Sequence, residues 1–219
     1  MARPRSGLRD RGCSNRRAIA VTFSARFLAE TGTILAALDP ASIEALATTL
    51  AGVRDGGGRL FILGVGGSAG HAGHAVNDFR KLCGLEAYAP TDNVSELTAR
   101  TNDEGWETTF SAFLRGSRIR AEDGVLVFSV GGGDRQKNIS ANIVAAIEVA
   151  KSVGARVCGI VGRKGGYTAE VGDAVVVIPP LFPDHVTPHT EGLCAVLWHL
   201  LVSHPALKTM PTKWESAAR

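Results

Sequence analysis

Near the first third of the chain, the run LGVGGSAGHAGHAVNDF (63–79) sets His71, His74 and Asp78 at i, i+3 and i+7. On a helix those spacings share one face, and His74 and Asp78, four apart, can aim at one metal ion or one substrate carbon. Near the other end, Glu191 and His199 make a second acid–imidazole pair on a further helical stretch. Eight helical residues span about 12 Å, a gap that two long side chains can close toward a common point. Imidazole nitrogens and carboxylates are ordinary zinc ligands, and together they also form an acid–base pair. Each residue has a plainer reading as well. Glu191 suits the first turn of a helix, His199 beside Trp198 suits a hydrogen-bonded core, and His71 suits the surface. His185 and His189, on the loop before the last helix, are further candidates.

Two glycine-rich loops offer a place for an anion. One is Gly64-Val65-Gly66-Gly67-Ser68. The other runs from Ser129 through Gly131, Gly132 and Gly133 to Asn138 and Ser140. Glycine lets backbone N–H groups approach an anion, and a following helix adds its positive N-terminus. Ser68, Ser129 and Ser140 can add hydroxyl hydrogen bonds. Either loop alone could be a plain strand-to-helix turn. Gly64 to Ala69 also fits GxGxxA, a weak dinucleotide signal that would need Glu86 or Asp92 at a ribose. That reading explains neither the second loop nor the histidines, and GxxxxGK[ST] is absent.

The elements that must position these groups alternate. Helical spacing covers Phe23–Asp39, and Asp39-Pro40 opens a helix from Ala41 to about Arg54. Residues 59–63 read as a strand, followed by a helix from about Ser68 to Cys83. Residues 85–90 are a candidate strand. Asn93–Thr101 and Trp106–Arg115 read as helices separated by Asn102, Asp103 and Gly105. Strands at 125–130, 156–162 and 174–179 flank a helix at Ile139–Val153 and a turn at 165–173. Thr187-Pro188 opens a final helix to about Ser203. Continuously apolar strands alternating with helices imply an α/β fold with a parallel sheet covered on both faces. Ligands in such sheets lie at the carboxyl ends of the strands. The two apolar helices before the first strand imply packing against another subunit.

The chain has 219 residues, 45% hydrophobic, enough for one sizeable domain. Six of the 24 basic residues and one of the 21 acids fall in residues 1–17, so the +3 net charge becomes −2 beyond them. This divides the chain into a basic leader without regular structure (1–20), a domain (21–207) and a C-terminal tail (208–219). No aromatic residues interleave with basic ones as nucleic-acid binding would need, and no apolar run reaches the roughly 18 residues of a membrane span. Cys13, Cys83, Cys158 and Cys194 show no CxxC spacing and read as reduced thiols of a cytoplasmic protein.

The order GVGGS, then NVSELTARTNDEGW, then SVGGG after a strand, then GIVGRKGG and a last helix resembles a sugar isomerase (SIS) domain. The nearest resemblance is to the phosphoheptose isomerases, which act on D-sedoheptulose 7-phosphate, and it covers residues 22–205. It implies a three-layer αβα sandwich with a five-stranded parallel sheet, flavodoxin-like. It also implies a homotetramer with active sites at subunit interfaces. That group binds zinc through HxxxE and QxxxxxxxH; here His74-xxx-Asp78 and Glu191-x7-His199 stand at those spacings. By resemblance Asp78 and His199 carry the acid–base work. Gly66, Gly67, Ser68, Ser129, Gly131, Gly132 and Ser140 hold phosphate, and Asn102 and Asp103 hold sugar hydroxyls. Three departures stand out: Asp78 for glutamate, Glu191 for glutamine, and SVGGGDRQKNIS where the family has serine-rich STSGNS. The expected activity is aldose–ketose isomerisation of a sugar phosphate. A member that only binds a sugar phosphate or a partner protein is the alternative.

Overall fold

The computed structural model describes residues 22–217; the basic leader and Cys13 lie outside them. Helix α1 (Phe23–Ala36) is capped by the Thr22 hydroxyl, and α2 (Pro40–Asp55) by the Asp39 carboxylate with Pro40 in its first turn. Then follow β1 (Leu60–Gly64), α3 (Gly67–Cys83), β2 (Ala87–Tyr88), α4 (Val94–Glu104), α5 (Thr109–Gly116) and β3 (Gly124–Ser129). The chain continues with α6 (Ala141–Ser152), β4 (Arg156–Val161), α7 (Tyr167–Val171), β5 (Ala174–Val177), α8 (Val186–Ser203) and the short α9 (Lys213–Ala217).

The five strands form one parallel sheet in the order β2-β1-β3-β4-β5. Alternate strand residues face opposite layers. Leu60 and Ile62 pack with α2, α3 and α8 through Leu46, Leu50, Phe79, Leu193 and Leu197. Phe61 and Leu63 pack with α5 and α6 through Phe110, Leu114, Ile143 and Ile147. A fully buried side chain of this size contributes about 1.5–3 kcal/mol. Because α3 and α6 lie on opposite faces, the chain leaves β1 and β3 in opposite directions at their carboxyl ends, the switch point where such sheets bind ligands.

Several boundaries move from their expected places. α4 runs on through Asn102 and Asp103 and stops at Gly105, whose φ of 86° a glycine adopts without strain. Thr187 and Pro188 lie inside the first turn of α8, because a short 3-10 turn at Pro183–His185 starts the helix earlier. β2 keeps only two residues of the 85–90 run. α6 begins at Ala141, since Ser140 has φ 50°. Before it, Asp134 and Ile139 pair their backbones in a tight hairpin, with the Asp134 carboxylate accepting the N–H groups of Gln136 and Lys137.

At the amino end of the sheet, Asp123 is fully buried. Its carboxylate accepts from the Arg59 and Arg120 backbone N–H groups and from the Arg59 guanidinium. Burial pushes its pKa up, but these hydrogen bonds outweigh it and hold the carboxyl below its ordinary value. Cys83, Cys158 and Cys194 are buried, which pushes their thiols up to about 11, 12 and 12.

Candidate active site

α3 and α8 lie side by side and run the same way. Glu191, in the second turn of α8, lies over Gly67 at the start of α3, Asp78 faces His199 further along, and Cys83 meets the Val202 carbonyl at their ends. This pairing brings two of the sequence motifs into register. His74 Nε2 lies 3.7 Å from Asp78 Oδ2, and His199 Nε2 lies 4.0 Å from the same oxygen. The imidazole rings are 5.4 Å apart, centre to centre. His74 and His199 are half exposed while Asp78 is largely covered, so the carboxylate forms the floor of an open site.

His199 Nδ1 is 2.7 Å from the Ala195 carbonyl. A carbonyl only accepts, so Nδ1 carries the hydrogen and Nε2 turns a lone pair toward Asp78. Trp198 is fully buried and stacks on His199 at 3.5 Å, with His74 at its edge at 4.7 Å. One indole therefore orients both imidazoles. Asp78 Oδ1 accepts from Asn77 Nδ2 at 2.8 Å, which leaves Oδ2 for the histidines.

The donor set suits a divalent ion. A tetrahedral zinc with bonds of about 2.0–2.1 Å sets its ligands about 3.3–3.4 Å apart, a few tenths of an ångström inside the observed separations. Glu191 does not join this trio. Two turns of α8 separate it from His199, and its carboxylate rests against Gly67, where a Cβ would come within 2.7 Å of Oε2. His71 is likewise outside it.

Glu191 instead lines a cleft of about 190 Å³ with Val65, Ser68, Ser129, Gly131 and Ser140, between the carboxyl ends of β1 and β3. Gly66 opens α3 at φ 63°, and Gly132 at φ 74° donates its N–H to Ser129 Oγ at 3.0 Å. Both expected glycine loops thus meet in one place, with two helix N-termini beside them. Asn102 and Asp103 do not line it. They stand exposed on the last turn of α4, bonded to each other at 2.7 Å. A larger hollow of about 520 Å³ opens elsewhere, lined by Thr49, Gly52, Glu122 and Arg156, and holds none of these groups.

Sequence reasoning missed Glu30, whose carboxylate lies 2.7 and 3.0 Å from two histidines 155 and 159 residues away. The available signal was an acid in the apolar run of α1, between Phe27 and Ile34.

The SIS domain family model matches residues 26–162. The chain belongs to the SIS domain family. The lincomycin biosynthesis protein LmbN of Streptomyces lincolnensis is 32% identical over 81% of the chain, which spans 66% of that relative's length. A phosphoheptose isomerase of Rhodospirillum rubrum is 33% identical over 74% of the chain and 82% of its own. Among solved structures, the phosphoheptose isomerase of Neisseria gonorrhoeae superposes with a TM-score of 0.72 at 25% identity, covering 82% of this chain and 96% of that one. Within the SIS family the chain stands with the phosphoheptose isomerases, as an enzyme of the sugar-phosphate isomerase class. The five-stranded parallel sheet is the fold expected from that kinship.

Proposed function

We propose that the chain interconverts sedoheptulose 7-phosphate and an aldoheptose 7-phosphate by proton transfer through an enediol or enediolate. One observation carries this reading: Asp78 lies between two imidazoles on α3 and α8, the helices that also bring Ser68 and Glu191 to the anion cleft. Along α3, Ser68 and His74 are separated by roughly 9 Å of helix rise. An extended seven-carbon phosphate, at roughly 1.2 Å per bond as in an extended backbone, covers a similar distance from its first carbon to phosphorus.

Ser68, Ser129 and Ser140, with the N–H groups around Gly66, Gly67, Gly131 and Gly132, hold the phosphate. Asp78 takes the proton from the carbon beside the carbonyl and returns it to the neighbouring carbon. His199, with Nδ1–H fixed on Ala195, gives a proton from Nε2 in its imidazolium form to the carbonyl oxygen, and the neutral imidazole then takes the proton of the neighbouring hydroxyl as the new carbonyl forms. His74, Asp78 and His199 together are the residues that would hold a divalent ion such as zinc. A bound ion would polarise the carbonyl and replace the positive charge His199 otherwise supplies. Glu191 has no place in that ligand set as it stands, and Asn102 and Asp103 do not line the cleft within one protomer.

We further assign a homotetramer. Phe23, Leu28 and Leu35 on α1 and Val196 and Leu200 on α8 leave apolar surface exposed for it. Among the described residues no single helix is long and apolar enough to cross a membrane, which is compatible with the cytoplasmic location proposed here. The test is exchange of solvent deuterium into sedoheptulose 7-phosphate by the purified protein. Incorporation at C1 of the ketose, and at C2 of the aldose formed from it, is expected. Binding of the sugar phosphate without exchange would reduce the chain to a binding protein.

A further inference from the structure

His185, just before α8, and His189, in the first turns of α8, form a second trio with Glu30 of α1. Glu30 Oε2 lies 2.7 Å from His185 Nδ1 and 3.0 Å from His189 Nε2. His189 is 3% exposed, and Glu30 and Ile34 are the only buried residues of α1. The trio is therefore the chief polar tie between that helix and the rest of the chain.

The hydrogens decide what the trio can hold. Thr31 Oγ1 donates to the Phe27 carbonyl at 2.9 Å, so toward His189 Nδ1, 3.4 Å away, it can only accept. That puts the His189 hydrogen on Nδ1 and a bare lone pair on Nε2. This lone pair faces a carboxylate oxygen at 3.0 Å. Two acceptors at that distance need a cation between them, either an added proton or a metal ion. Arg26 Nε lies 3.8 Å from the other oxygen, Oε1, so Oε2 is the one left for the imidazoles. Phe27 stacks on His189 at 4.3 Å, and Phe23 and Phe27 meet His185 edge-on, fixing both rings.

We propose that Glu30, His185 and His189 bind a second divalent transition-metal ion, zinc by donor type, which pegs α1 to α8. Two imidazoles and one carboxylate with an open position are a known zinc set. The Thr31 contact to the far nitrogen of His189 is the outer-shell hydrogen bond that metal-bound histidines carry. A hollow of about 220 Å³ lined by Arg26, Phe182, Pro183, Asp184 and His185 gives a way in, and Asp184 offers a further oxygen beside it. The three ligand atoms must spread by a few tenths of an ångström to reach the tetrahedral spacing, and the 3-10 turn carrying His185 can yield that.

The test uses the full chain, stripped by chelator and titrated with cobalt(II) as a visible probe. The wild type is expected to take two equivalents, and a His74→Ala/His199→Ala variant one, with the visible band of cobalt bound to nitrogen and oxygen. Adding His189→Gln, or separately His185→Ala, to that variant should remove the remaining equivalent, with circular dichroism in metal-free buffer showing each protein folded. A double variant that binds no cobalt overturns the second site, as does one that keeps its equivalent after both added changes. That result would leave the trio held by a proton alone. Independently of any variant, crystals of the wild type soaked in zinc should show anomalous density among Glu30, His185 and His189, and its absence sinks the proposal. None of these readouts involves turnover, so the second site and the isomerase reading fail separately.

Discussion

Two clusters in this protein use the same donors, a carboxylate between two imidazoles, and both draw on α8. At His74, Asp78 and His199 the donors stand 3.7–4.0 Å apart, with both histidines half exposed. At Glu30, His185 and His189 they close to 2.7–3.0 Å, and His189 is buried. The difference comes from what surrounds them. The first rests on one indole at the mouth of a helix pair and leaves room for a ligand. The second is boxed in by Phe23 and Phe27 and joins two helices. The same donors thus stand open to a ligand in one place and closed between two helices in the other.

That contrast can be broken. The largest expected effect is on exchange chemistry. Asp78→Asn and His199→Gln should each lower deuterium exchange into sedoheptulose 7-phosphate by about 10²–10⁴-fold, with sugar-phosphate binding retained. Glu30→Gln should leave exchange near the wild-type rate. Equal losses in all three would erase the distinction between the clusters.

Next comes a carboxylate that is neither open nor a bridge. Asp123 is saturated by Arg59 and Arg120, and Asp123→Ala strips a buried ion pair. The unfolding free energy should fall toward the lower end of roughly 3–5 kcal/mol, read from urea midpoints. Because its folded pKa is depressed, its contribution is complete above the unfolded-state value of 3.8 and is lost as pH falls through the lower folded one. An Asp123→Ala protein with unchanged acid sensitivity would contradict this.

A smaller effect tests Glu191. Its charge faces an anion cleft and opposes phosphate by about 1 kcal/mol at contact range in water. Glu191→Gln should therefore tighten inorganic phosphate binding roughly fivefold and leave the metal content unchanged. Loss of metal in that variant would return Glu191 to the ligand set its spacing suggested. The smallest is His71→Ala: it lies outside the trio and should leave both exchange and metal content at wild-type levels.

The sheet was legible because β1, β3 and β4 are short, apolar and followed by glycine or polar turns. The His74–Asp78 pair was legible for the same local reason, one helix and one spacing. The link to His199 needed the register between α3 and α8, which no local pattern encodes. Glu191 rests on Gly67, so the convergence with His199 that eight residues allow through favourable rotamers is not formed here. Asn102 and Asp103 looked like a break because both residues favour turns, yet α4 runs through them to Gly105. Glu30 was passed over since its partners lie more than 150 residues away.

The buried thiols have a practical consequence. With Cys83, Cys158 and Cys194 enclosed and far from thiolate at neutral pH, alkylating reagents can reach them only when the packing around α3, β4 or α8 opens. All three sit in the same core layer, so each is a native stopwatch on its own element, and comparing labelling times would rank whether α3, β4 or α8 lets go first.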